Sequence, residues 1–429
     1  MFNDIDGNAL IAWTDIGIGA RLAIAAHSAL PSRKGEEWSR VYWSMYMLDH
    51  TYGASFSMPR AFSSQILGPP YPQSIPPPAQ LSQETYLSST FEDASAFGVD
   101  TFHLQLLTIW GNTMDFVRGM RDNEKVQVWS ETGPYSGPYH KIICEMYDIE
   151  ARAGDSHRLR NTGLTGRSPT ELQTHRGYWA PWMAMQILIH TIQALIHHPF
   201  LHIINRRNNN TRRPPSFLQH TVDQALLHSS WVAKFIKFCA EKEFEINDPF
   251  IAHLASIAAT VLMFFFDASD PSLTEQTAHG FETCYEFVQR MSKSWPHLAN
   301  TIHKLDTLQR SRKPRFTPDS SVQASLLWSL FDYSSSTTPA TSQDLPEPTV
   351  ELNVNTQFLS SLDSIRTDRD KPRNQEQGFL PQETTHAQQS LPYIDASGFD
   401  QPFDIFNADW FTDMNMHDLG HGFWNDFGQ

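Results

Sequence analysis

Apolar residues along the first three quarters of the chain recur at i, i+3, i+4 and i+7, and no stretch alternates apolar and polar long enough to read as a strand. An Ala-rich apolar run from about Asp15 to Ser28 predicts a helix ending near Pro31. "EEWSRVYWSMYMLDHTYG" predicts the next, with Glu36 and Glu37 at its positive end and Gly53 at its close. A long helix is expected over Asp100 to Met120. "GYWAPWMAMQILIHTIQALIHHPFL" is apolar on nearly every side, which predicts a central buried helix stopped by Pro199. Helical spacing resumes in "HTVDQALLHSSWVAKFIKFCAEKEF", over 249–266, and in "GFETCYEFVQRMSKSWPHLANTIHKLDTLQ". Proline and polar residues break the pattern at "GPPYPQSIPPPAQ", around Asn161 to Pro169 and at "NRRNNNTRRPPS". After Arg315 the composition turns to Ser, Thr, Pro and Gln, which offers little burial to offset chain entropy. The expected architecture is all-α: one large helical domain over 1–310, a disordered linker over 311–397, and a tail over 398–429.

Charge changes the picture at the C-terminus. The net charge is −15, from 47 acidic and 32 basic residues; nine acids and no base lie from Asn374 onward, leaving a balance of −6 in the first 373 residues. A broad basic face for phosphate contacts is lacking, so DNA contact is not expected of this chain itself. In the tail, Phe403, Phe406, Trp410, Phe411, Phe423 and Trp424 alternate with aspartates. Folding those rings into a core would drag unpaired carboxylates in with them. The rings therefore await a partner surface, and the six are the expected partner-binding residues.

Other candidates for chemistry are weak. Cys144, Cys239 and Cys284 are scattered and read as buried free thiols. "FIAHLASIAATVLMFFF" nears the minimum of about 17 residues for a bilayer span, but reads as a core helix, and no membrane partner is expected. "GIGAR", from Gly17, lacks the third glycine of a dinucleotide loop and reads as close helix packing. His190 and His197, seven apart on one face, with His198 and His202 beyond, have no cysteine or carboxylate at metal-ligand spacing. In "FFFDASD", Asp267 and Asp270 have the three-residue spacing of magnesium-holding acids on a helix face, but Asp270-Pro271 looks more like the N-cap and first position of the next helix. The loops with Arg206, Arg207, Arg212 and Arg213, and with Arg310, Arg312, Lys313 and Arg315, read either as nuclear-import signals or as solvated linkers.

The stretch "ARLAIAAHSAL…EEWSRVYWSMYMLDHTYGASFSMP" resembles the regulatory, or middle homology, domain of fungal binuclear zinc-cluster transcription factors. The family has a small-residue helix ending near a histidine, an arginine before an aromatic-Trp helix with an aspartate, and a Gly-Arg-Pro turn. The corresponding residues are His27, Arg40, Tyr42-Trp43, Asp49 and Pro59, with Ser57-Met58 in place of Gly-Arg. "ILIHTIQALIHHPFL", closing on Pro199 and Phe200, is similar to the family's central helix. "CAEKEF…DPFIAHLASIAATVLMF" and "FETCYEFVQRMSKSWPHLA" resemble its last ones. In packing terms Trp43 and Tyr46 are expected in the core, and Arg40 and Asp49 to tie adjacent helices.

The resemblance implies a nuclear, non-enzymatic transcription regulator whose tail recruits a coactivator or the general transcription machinery. The six-cysteine zinc module of that family is missing, so zinc and DNA contact are expected only through a segment that this chain lacks; the start at Met1 falls partway into the domain. The alternative is a DNA-free partner or inhibitor that pairs with itself or with related factors. The remote alternative is a magnesium-dependent helical enzyme using Asp267 and Asp270.

Overall fold

The computed structural model describes residues 9–29, 35–52, 59–62, 68–73, 75–78, 98–122, 137–153, 157–209, 215–268, 270–311 and 321–336. All of these are helical, turn or extended connector, without a strand among the described residues, and they belong to one compact unit spanning 1–354. The tail, with its six expected partner-binding aromatics, lies outside the described residues.

The helices are α1 (Ala9–Ala29), α2 (Glu36–Thr51), α3 (Val99–Arg121), α4 (Pro138–Arg152), the one-turn α5 (Leu159–Thr162), α6 (Pro169–Thr174) and α7 (Arg176–Ile196). After them come α8 (Pro199–Asn209), α9 (Pro215–Glu241), α10 (Pro249–Met263), α11 (Pro271–Met291), α12 (Leu298–Ser311) and α13 (Ser321–Phe331). Starts and stops follow local chemistry. Ser168 and Glu171 close a reciprocal capping box on α6. Asp248 and Asp270 accept from the N–H groups of Phe250 and Ser272, and prolines take the first position of α10 and α11. The expected stop at Pro199 holds: α7 ends at Ile196 and Pro199 opens α8.

α7 forms the centre, packed against α3, α9 and α10, while α10 also touches α11, α12 and α13. Every residue of α10 is buried, as a helix apolar on all sides requires. α7 and the start of α8 are together long and apolar enough to cross a membrane, and 89% of that window is buried in the fold. α1 and α2 form an outlying pair joined to α3. Their contact is close because α1 presents Ala20, Ala23 and Gly19; a Cβ on Gly19 would lie 2.5 Å from the Met45 methyl. Gly19 of "GIGAR" thus serves helix packing.

The expected linker is corrected in part. Residues 321–336, inside the stretch read as disordered, form α13 and a following 3-10 turn, with Leu327, Leu330, Phe331 and Tyr333 buried. Phe200 receives them: its ring lies 4.9 Å from Trp328 and 6.1 Å from Phe331. Gln323 donates to the Ser311 carbonyl at 2.8 Å, and Lys304 donates to that of Ser335. "SVQASLLWSLF" is only eleven residues long, and its Ser/Thr/Pro flanks dilute its apolar content in any composition window. We expect Phe331→Ala to lower stability by about 3–5 kcal/mol in urea titrations. An unchanged midpoint and slope would mean that α13 does not pack on Phe200.

Candidate functional site

Two polar arrangements and one exposed apolar face stand out among the described residues. The first is a clasp at residues 59–62, which joins three helices. Asp49, near the end of α2, is 1% exposed and accepts from the backbone N–H groups of Ala61 and Phe62 at 2.9–3.0 Å. Burial raises its pKa, and those N–H groups and the Arg60 guanidinium pull the other way. The Pro59 carbonyl accepts from the Trp13 indole on α1 at 3.1 Å. Arg60 reaches Asp115 on α3 at 2.6 Å and lies over Gly111, where a Cβ would come within 1.7 Å of its guanidinium. Only glycine leaves that seat open.

Arg40 and Asp49 take other roles than expected, whereas Trp43 and Tyr46 pack against the buried cluster of Ala20, Ala23, Tyr42 and Phe62. Arg40 pairs with Glu36 one turn back on its own helix at 3.0 Å, so it ties no neighbouring helix. Asp49 ties the 59–62 segment, not a helix. Tyr42 is fully buried, whereas Trp43 is half-buried, stacked on Tyr71 at 4.6 Å and donating to the Pro70 carbonyl. The hydroxyl of Tyr46 bonds that of Thr108 and so joins α2 to α3. Sequence reasoning missed Trp13 and Arg60; the one signal for Arg60 is its place after Pro59, and Trp13, 46 residues away from that proline, has none.

The basic residues do not all sit on loops as expected. Arg206 and Arg207 fall within α8, and Arg310 within α12, where it bonds the Asp306 carbonyl. Arg212, Arg213, Arg312, Lys313 and Arg315 lie outside the described residues. Asp270 caps α11 with Pro271 in its first position, as the helix-start reading expects, and Asp267 lies in the turn after α10, so the two share no helix face. Cys144 is exposed rather than buried; burial pushes the Cys239 and Cys284 thiols up to about 12.

The second arrangement is a polar seam between α7 and α9. His190 and His228 face each other with their Nδ1 atoms 2.8 Å apart, and the His197 and His220 rings lie 5.8 Å apart. These two pairs fix the helices as antiparallel, and the register sets Gln193 opposite Gln224 between them. Gln186 lies one turn before His190, and His190 stacks on the Trp231 ring at 5.4 Å. Gln186, Gln193, His190, His197 and His228 are all buried. The spacing of 186, 190, 193 and 197 is four, three, four, as in a coiled-coil seam, but with glutamine and histidine where such seams place leucine.

The hydrogen bonds assign the tautomers. His197 Nδ1–H donates to the Gln193 carbonyl at 2.8 Å, so its Nε2 accepts from the Tyr139 hydroxyl of α4 at 2.9 Å. His228 Nε2–H donates to Gln224 Oε1 at 3.2 Å, so its Nδ1 accepts from His190 Nδ1–H. Next to the seam, His198 accepts from the Phe200 N–H and donates to Thr260. Burial holds His190, His197 and His198 at about 3, and His228 well below its ordinary value. All are neutral near pH 7. Among the described residues no group of three or more side chains is placed to hold a metal ion. The sequence had paired His190 with His197, but had not joined them to His220 and His228 on another helix.

The exposed face belongs to α1. Ala12, Ile16, Ala20 and Ala23 are buried, while Ile11, Ile18 and Leu22 are 44–65% exposed. Ile11, Asp15, Ile18, Leu22, Ala25 and Ala29 repeat at four-three-four-three-four, so a second stripe of α1 is spaced for another helix. Comparison with protein-family models, with curated proteins and with solved structures finds no match for this chain.

Asp49→Asn keeps one acceptor oxygen but turns an amide N–H toward backbone donors. We expect a loss of about 1–3 kcal/mol in thermal or urea unfolding. Wild-type stability would mean that the clasp does not depend on the carboxylate.

Proposed function

We propose that this chain is the regulatory and activating portion of a fungal-specific transcription factor, acting in the nucleus on genes read by RNA polymerase II. The observation that carries the reading is the tail, in which Phe403, Phe406, Trp410, Phe411, Phe423 and Trp424 stand among aspartates with no lysine or arginine. Spaced carboxylates keep such rings soluble and apart. A coactivator groove burying several of them gains about 1.5–3 kcal/mol gross per ring, much of it offset by ordering the segment. The all-helical body, with Asp49, Pro59, Pro199 and Phe200 each at a helix end or a turn, is in keeping with the regulatory domain that the sequence resembles. DNA contact and zinc belong in this reading to a separate module.

Fusing residues 398–429 to a neutral DNA-binding module is expected to drive a reporter, and changing the six aromatics to alanine to abolish the output. A silent fusion that is expressed and nuclear would refute the activating role.

The outward stripe of α1 favours a second reading, a DNA-free partner that pairs through its helical body with a copy of itself or a related factor. Ile18→Asp with Leu22→Asp is then expected to weaken assembly at least tenfold in light scattering, with the helical circular dichroism signal kept. A wild-type monomer indifferent to related factors would exclude this reading.

A further inference from the structure

We propose that the seam between α7 and α9 is a proton-responsive joint, closed while its four imidazoles are neutral and opened by acid. The inference is independent of the transcriptional reading. It rests on how the seam is made: His190 donates to His228, and His197 packs against His220, along one interface between two helices. One added proton leaves both Nε2 atoms protonated and a single Nδ1–H shared across the 2.8 Å bond between His190 and His228; a second places two N–H groups nose to nose. A proton on His197 turns its Nε2 into a donor facing the Tyr139 hydroxyl, which can then accept, so that pair tolerates protonation better. The His190–His228 pair therefore keeps its bond through the first proton, buried as an added charge, and loses it at the second.

Lys234 of α9 acts on His190 as a like charge, and it lies over the same Trp231 ring that His190 stacks on. His228 feels His190, His197 and His220, and His197 feels His220, so each proton taken up disfavours the next. Tyr139 of α4 and His202 of α8 close the lower end; the Tyr139 ring lies 6.3 Å from that of His202, which holds the Ile196 carbonyl. Asp223 on α9 bonds the Gln219 amide, one turn back along its own helix.

The sign follows from burial. In the closed seam the histidine pKa values are depressed, whereas rings released to water titrate near their ordinary 6.5. Opening therefore takes up protons below that pH. The stability of the closed seam is fully present above about 6.5 and is lost as pH falls toward the closed-state values near 3. Each released imidazole multiplies the open population about tenfold per pH unit in that window.

The test is hydrogen exchange of the full chain at pH 7.5 and 5.5, corrected for intrinsic exchange rates. Amides of α7 and α9 are expected to lose protection by a hundredfold or more between the two, while those of α1 keep theirs. In His190→Leu with His228→Leu, which removes two proton acceptors and keeps the seam filled, that pH effect is expected to shrink about a hundredfold. Should this variant fail to fold, His220→Gln at the half-buried end is expected to shrink it about tenfold. The proposal is overturned by wild-type protection that is independent of pH, by a pH effect unchanged in the variants, or by α1 losing protection in step with α9.

Discussion

From Met185 to Ile196, every residue of α7 is buried. Such a helix has no face on which to leave a polar side chain in water, so Thr191 bonds the Ile187 carbonyl of its own helix and the histidines are met from neighbouring ones. This constraint sets α9 in its register: the two histidine pairs fix which residue meets which. It also sets α4, because His197 needs the Tyr139 hydroxyl, and it sets α10, because His198 needs Thr260. A core of leucine alone would hold these helices with similar energy but with less definite register, and the hydrogen-bonded imidazoles supply that definition.

The periphery obeys a different rule. α1 sets small residues, Ala20 and Ala23, against a cluster around the buried Tyr42 and Phe62, and backbone N–H groups captured by Asp49 and the salt link from Arg60 to Asp115 anchor this pair to α3. At the other end, α13 covers Phe200 and its neighbours, so the body closes with an aromatic cluster immediately before the residues that lead to the acidic tail. Both ends are held by a few specific contacts, whereas the centre is held by continuous apolar packing. Changes at Asp49 or Phe331 are thus felt through single contacts.

Much of the fold was legible because its central helices are long and strongly patterned. The stop at Pro199, the cap at Asp270 and the buried helix beginning at Pro249 follow from residue chemistry that acts locally. α13 was not legible, since eleven apolar-rich residues among Ser, Thr and Pro carry no periodic signal until Phe200 provides a surface. Within the seam, the sequence displayed half: His190 and His197 share a face by spacing alone. Their partners lie on another helix, and only the antiparallel packing of α7 on α9 brings His220 and His228 opposite them. Arg60 was hidden for the same reason, because its seat at Gly111 lies far along the chain.

The most direct test of the account is the protonation state of the seam itself, read by nuclear magnetic resonance of the chain with 15N-labelled histidine at pH 5.5. The account predicts that His190, His197 and His228, assigned by single substitutions to glutamine, stay neutral there, with His197 protonated at Nδ1 and His228 at Nε2 in whatever fraction of the chain remains closed. Imidazolium signals for these three in folded protein at that pH, titrating near 6.5, would contradict it.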